Sequence, residues 1–194
     1  MESCLDVPWQ AQVLILACVG DCKPLADILG GHSPLQTPAL EPIFERMTSR
    51  LFAMIEMGWS TGGQVNDPVI WHRREFNKLA DFLVNYTMDL GEDWHEDLQP
   101  AGGKISPWSA NLICHSDGGT RQGSCSGAAW ILEAHVLEDG LPQVRPIARG
   151  GKYIRMPVSS FLAEAIALDE ATSHLFGILN DASQNRIKRA RAHS

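Results

Sequence analysis

The ten residues AQVLILACVG, 11–20, constrain the fold most. They form an unbroken apolar run that stops at Gly20 and is followed at once by Asp21. A run of that length, without alternation, predicts a strand covered on both faces, as in the parallel part of an α/β sheet. In open α/β sheets, ligands bind beyond the carboxyl ends of parallel strands. Asp21 is therefore a candidate functional carboxylate as well as a candidate turn residue.

The rest of the chain supplies the layers such a strand needs. KPLADIL, closed by Gly30-Gly31, permits a short helix, and residues 39–58 repeat Leu40, Ile43, Phe44, Met47, Leu51, Met54 and Ile55 at helical spacing. Pro42 suits the first turn of that helix. PVIWHR, 68–73, is a short strand candidate. A helix from about Glu75 to Met88 has Phe76, Leu79, Ala80, Leu83 and Val84 as its expected apolar side. DLGEDWHEDLQPAGGKISPWS, 89–109, is acidic and then rich in Gly, Pro and Ser, and reads as a connector.

Beyond it the pattern turns strand-rich. Strands are expected at 110–116 and 127–136, with a hairpin through Glu138-Asp139-Gly140 into a strand within 143–155. A last helix spans about 158–179, with Ser159 and Ser160 as capping candidates. This order of elements predicts a layered α/β or α+β protein.

At 194 residues, with 44% hydrophobic and 20% charged residues, the chain suits one globular domain. No apolar run reaches the roughly 20 residues of a membrane helix. The start, MESCLDVPWQ, has no basic n-region, so the expected location is intracellular, nuclear or cytoplasmic, and not secreted. Five cysteines without a CxxC pair argue against zinc and against a disulfide framework. Cys18 and Cys114, in apolar runs, read as small buried thiols. His72, His115 and His135 show no HxH or HExxH spacing and read as structural. A net charge of −7 argues mildly against strong non-specific binding to nucleic acid, although the tail RIKRARAHS, 186–194, holds Arg186, Lys188, Arg189 and Arg191 with no acid.

Three further carboxylates stand in telling places. Asp117 closes the run ANLICHS much as Asp21 closes its own. Glu164 steps onto Leu168, Ala171 and Leu175, so it lies on the apolar stripe of its helix, where an unpaired carboxylate costs several kcal/mol. Asp81 follows Asn77 by one helical turn at the margin of an apolar face. Carboxylates that converge would repel each other, and an oxygen-loving divalent cation would relieve that cost.

These residues together resemble the ribonuclease H family, in its type-1-like plant and retroelement branch. HSDGGTRQGSCSGAAWIL is similar to the family's first strand with its DG-type motif, turn and antiparallel strand. AEAIAL, 163–168, matches the AE-x-x-AL motif of its first long helix. LILACVGDCKPLADILGG resembles the fourth strand with its DS-type motif, with Cys22 where serine is usual. VIWHRREFNKLADFLVN resembles the last strand, the arginine-rich turn and the N-x-x-x-D helix.

The resemblance implies a ribonuclease H-like mixed five-stranded sheet flanked by helices. It also implies a two-metal endoribonuclease acting on the RNA strand of RNA–DNA hybrids. Asp117, Glu164, Asp21 and Asp81 would be catalytic and would bind two Mg²⁺ or Mn²⁺ ions. Gly118, Gly119, Thr120, Asn77, Arg73 and Arg74 would meet the hybrid, whose 2′-OH groups distinguish RNA from DNA. The mobile histidine of some members has no match, and the 39–58 helix sets Arg46 and Arg50 against Glu41, Glu45 and Glu56, so hybrid binding is expected to be weak and salt-sensitive.

The order departs from the family. Residues 11–90 resemble its C-terminal half and 110–180 its N-terminal half, with 91–109 as connector and 181–194 as basic tail. Circular permutation of one domain accounts for this, since a connector of about twenty residues reaches up to roughly 65 Å. A slice cut from a tandem array, completed within one chain or by exchange between two, is the alternative. A polyprotein or retroelement context is compatible with either account. A catalytically weak or inactive interaction module that kept the fold is the competing function.

Overall fold

The computed structural model describes residues 15–57, 59–61, 69–98 and 110–192. Its centre is a seven-stranded mixed sheet flanked by helices, so the chain is an α/β protein. The run read as a buried strand forms β1 (Ile15–Gly20), with Ala17, Cys18 and Val19 all buried; residues 11–14 lie outside the described part. It leads into α1 (Lys23–Leu29), ended by Gly30 and by Gly31 at φ 75°.

A 3-10 turn at Pro38–Leu40 precedes α2 (Glu41–Glu56), which buries Phe44, Met47, Leu51 and Met54, four of the residues that defined its stripe. Ser60–Thr61 (β2) and Val69–Trp71 (β3) both pair in parallel with β1. A second 3-10 turn, Arg74–Phe76, opens α3 (Lys78–Leu90), which ends on Gly91 in the left-handed region.

β5 (Asn111–Arg121), β6 (Cys125–Glu138) and β7 (Leu141–Ile154) form an antiparallel meander. The expected hairpin is present: Asp139 and Gly140 both have positive φ, 52° and 77°, and Glu138 pairs directly with Leu141. Such a pair matches the right-handed twist of the flanking strands. β5 also pairs in parallel with β1, from Leu16↔Leu112 to Val19↔His115. The two halves of the chain are thus joined through the middle of one sheet.

α4 (Ser160–Ala192) and α2 cover one face of the sheet, over a core that includes Cys18, Cys114, Leu168, Leu175 and Leu179. The Leu162 amide donates to Ser159 Oγ (3.2 Å), so Ser159 caps the helix as expected. α3 covers part of the other face with Leu83, Val84 and Met88 against Ala129 and Ile131.

Four expectations need correction. Residues 94–97, read as connector, form β4 (Trp94–Asp97), the edge strand antiparallel to β7. Edge strands are often short and charged, which erases the alternation that marks a strand; here Arg149 pairs with Glu96 across the edge (2.6 Å). With β2 and β4 the sheet has seven strands among the described residues, where five were expected. α4 runs to Ala192, so the basic tail continues the helix instead of following it. Finally, Phe76 and Leu79 face outward, because α3 carries two apolar faces and buries the one with Ala80, Leu83, Val84, Thr87 and Met88.

Candidate metal centre

Asp21, Asp117 and Glu164 come together from distant parts of the chain. Their carboxylate oxygens lie within 4.8 Å of one another. Each arrives on a different element. Asp21 follows β1 directly, and its carbonyl accepts a hydrogen bond from Trp71 Nε1 (2.9 Å), which fixes that turn. Glu164 sits in the first turns of α4, where Leu168, Ala171 and Leu175 below it are fully buried, as the stripe required.

Asp117 is placed differently from the expectation. It does not end a strand, since β5 continues to Arg121 against β6, with Gly118↔Ala128 and Gly119↔Gly127. What ends there is the pairing with β1, which stops at His115. Asp117 therefore stands in the notch where β1 gives way to α1. The small residues that follow it are used by the helices: Gly118 lies directly under the backbone of Ala163 and Glu164, while Gly119 faces Val84 and Met88 of α3. Thr120 Oγ1 donates to the Val158 carbonyl (2.8 Å), tying β5 to the entry of α4. These three of the six residues expected to meet substrate are engaged in packing and internal hydrogen bonds.

Burial and mutual repulsion set the protonation of the cluster. Asp117 is 5% exposed and Glu164 9%. Burial first, then the Asp21 charge, push the Asp117 carboxyl up to about 7. Burial and the charges of Asp117 and Asp21 push Glu164 further, so it keeps its proton at neutral pH, hydrogen-bonded toward those two partners. Two full charges about 5 Å apart repel by roughly 3 kcal/mol at an effective dielectric near 20. Burial also raises the Cys22 thiol beside them to about 11.

Asp81, the fourth expected carboxylate, is not in the cluster. Arg74 Nη2 donates to its Oδ1 (2.7 Å), and the guanidinium feels Asp81 first and then, more weakly, Asp117 and Asp21. Arg73 is exposed. Asn77 is buried, and its side-chain amide donates to the Ser116 carbonyl (2.8 Å), one residue before Asp117. It holds the start of α3 to β5. Its Oδ1 is buried with no hydrogen-bond partner among the described residues.

Sequence reasoning missed Trp71 and Ser116, which act through backbone atoms and one indole nitrogen and leave no charged signature. It also missed Glu133, which lies between His115 Nε2 (3.5 Å) and His135 Nε2 (3.7 Å). The two imidazoles, His115 first, bring its carboxyl down to about 2. Both imidazoles thus face one carboxylate, which agrees with their reading as structural residues, while His135 Nε2 makes no hydrogen bond among the described residues. The cysteines agree too: Cys18 and Cys114 face each other across β1 and β5, fully buried and free.

Three hard oxygen donors at this spacing, with Asp117 and Glu164 raised by burial first and then by neighbouring carboxylate charge, fit a divalent ion such as Mg²⁺ or Mn²⁺. The cation would compete with the proton on Glu164 and remove the repulsion that raises Asp117.

No family model matches the chain, and no curated protein matches it. Among solved structures, two dodecamers of PelC from Paraburkholderia phytofirmans are similar at a low level. One, a methionine-substituted form in space group C2, is 11% identical, with a TM-score of 0.30, over 84% of this chain and 88% of that one. The other, in space group P6, is 11% identical, with a TM-score of 0.31, over 89% and 91%. No helix among the described residues is long and apolar enough to cross a membrane.

Proposed function

We propose that this chain is a metal-dependent endoribonuclease that hydrolyses the RNA strand of RNA–DNA hybrids, on a ribonuclease H-like domain whose halves follow each other in permuted order. The observation that carries the reading is the convergence of Asp21, Asp117 and Glu164 within 4.8 Å, each from a different segment of the resemblance. The sheet order fits as well. β5, the counterpart of the family's first strand, is flanked by antiparallel β6 on one side and by parallel β1 and then β3 on the other. Hydrogen bonding between β1 and β5 makes the order of the halves along the chain immaterial to the sheet.

Asp117, Glu164 and Asp21 would hold the first divalent ion, and Asp81 would help to hold a second once freed from Arg74. Bound ions of this kind supply an activated water and neutralise the oxygen that leaves phosphorus. The chain's own contribution is positional. Gly118 lets α4 close on β5, Asn77 fixes β5 just before Asp117, and Trp71 fixes the turn of Asp21. Arg73 is exposed, two residues beyond the end of β3, and would meet a phosphate.

A second reading, a catalytically weak or inactive interaction module, is favoured by two ion-pair arrangements. Arg74 occupies Asp81, and α2 offers no free cation of its own, because Arg46 and Arg50 both bind Asp169 of α4 (2.7 and 2.6 Å).

The deciding experiment is cleavage of a labelled RNA–DNA hybrid in Mg²⁺ and in Mn²⁺, beside Asp117→Asn and an all-DNA duplex. Cutting of the RNA strand alone, lost in the variant, is expected. A folded chain that cuts nothing in either metal would leave the module.

A further inference from the structure

α3 buries one face and leaves another bare. Phe76, Leu79, Phe82, Tyr86 and Leu90 are each 42% to 66% exposed. They recur at three- and four-residue steps and so form one stripe along the helix and the turn before it. Single exposed apolar residues are ordinary; five large ones in line are not. The stripe runs on through Tyr86 to Trp94, whose rings meet edge to face at 5.3 Å. Asp81 lies on the other flank of the helix, toward the carboxylates.

We propose that this stripe is the interface of a two-fold dimer of the chain, with α3 of one copy packed antiparallel against α3 of the other. The sequence of the helix is self-complementary in that arrangement. A dyad level with Val84 sets Phe82 beside Tyr86 of the second copy and Leu79 beside Leu90. An antiparallel two-fold also brings the same margin of each helix together. Along that margin Lys78 stands near the N-terminal end and Asp89 near the C-terminal end, both exposed. Counted from the dyad they sit about 9 and 8 Å away at 1.5 Å per residue, so each Lys78 meets the other copy's Asp89 and the contact is made on both sides of the dyad. Asp89 already receives Arg121 (2.7 Å) yet keeps most of its surface.

The area is sufficient for a weak, specific contact. Five such side chains expose on the order of 500 Å². The pair would bury about 1,000 Å², the lower limit of a biological interface, so a micromolar dissociation constant is expected. Nothing in the proposal depends on the carboxylate site or on nuclease activity.

Sedimentation of the full chain, from about 5 to 500 µM, tests it. The wild-type chain should pass from monomer to dimer within that range. Phe82→Glu replaces an exposed ring, so the fold survives, and dissociation should become at least about tenfold easier. Lys78→Glu and Asp89→Lys give a second, independent arm. Each variant alone should dimerise more weakly than wild type, whereas an equimolar mixture should recover, because both cross-pairs are then of opposite charge. A wild-type chain that stays monomeric throughout overturns the proposal. So does a dimer indifferent to Phe82→Glu, or a mixture no tighter than its components.

Discussion

Gly118 and Glu164 share one small volume: a Cβ on Gly118 would overlap the backbone of Ala163 and the amide nitrogen of Glu164. No flexible side chain can yield there, because the obstruction is helix backbone. The absence of a side chain at 118 therefore sets how near α4 comes to β5, and with it the distance from Glu164 to Asp117.

Gly118→Ala should accordingly act on the site and not only on the fold. Overpacking of this kind costs about 1–3 kcal/mol. The variant should melt lower and also lose most of its response to Mg²⁺ or Mn²⁺, since the helix must move away from the strand. Thermal melts with and without millimolar metal measure both. A variant that melts lower but keeps the full metal-linked shift would show that Glu164 is not positioned through this contact.

The legible part of the site was the part written in side-chain chemistry. A carboxylate on an apolar stripe, as at Glu164, or directly after an apolar strand, as at Asp21, is conspicuous because burying it is costly. Bare packing of backbone on backbone is not conspicuous in the same way. Gly118, Gly119 and Thr120 were legible as a turn-like polar stretch, but one sequence does not say which helix will press on them. Strand ends at 117 and 121 were indistinguishable for the same reason, since Asp-Gly-Gly reads as a break and only the partner strand β6 carries it through. On α3, two apolar faces compete for the core, and periodicity alone does not decide which one wins. Four residues at the sheet edge, 94–97, were too few and too acidic to show a period.

Metal should stabilise the chain and the acidic cluster should be what senses it. The wild-type midpoint should rise in millimolar Mg²⁺ or Mn²⁺, because a ligand bound only by the folded state adds to its stability. Without metal, Asp117→Asn, which loses a repelling charge, and Glu164→Gln, which loses a carboxyl that must take up a proton to be buried, should each melt at or above the wild-type midpoint near pH 7.5, and neither should respond to the ion. An unchanged wild-type midpoint in both metals would remove the candidate site.

Two carboxyls should tilt the pH profile in opposite directions. Asp117 is raised in the fold, from 3.8 to about 7, mainly by burial and then by Asp21. The folded state therefore holds a proton that the unfolded chain releases, and stability falls as pH rises through that window. Glu133 is lowered to about 2 by His115 and His135, so its contribution is present above the ordinary carboxylate range and is lost on acidification toward pH 2. Metal-free urea titrations from pH 3 to 8 should show Asp117→Asn making the neutral limb shallower, with the remaining slope due to Glu164, which is raised in the same sense, and Glu133→Gln flattening the acid limb. Exchange of the two effects, or a wild-type profile that both variants leave unchanged, would contradict the assignment.

Arg74 and Asp81 give the sharpest test of how the fourth carboxylate is used. Their ion pair is exposed on the arginine side and partly exposed on the aspartate side, so it is worth no more than about 1 kcal/mol. A second cation that recruits Asp81 must displace the guanidinium, and removing the competitor should help it. Arg74→Ala should therefore lower the Mg²⁺ concentration for half-maximal hybrid cleavage by about two- to fivefold, the factor that such a pair converts to. Arg74→Lys, which keeps the charge but not the planar fork, should fall between. Asp81→Asn should act in the opposite sense and raise the metal requirement. If Arg74→Ala left the metal dependence unchanged and only weakened hybrid binding, the arginine would be a phosphate contact and Asp81 would stand outside the metal centre.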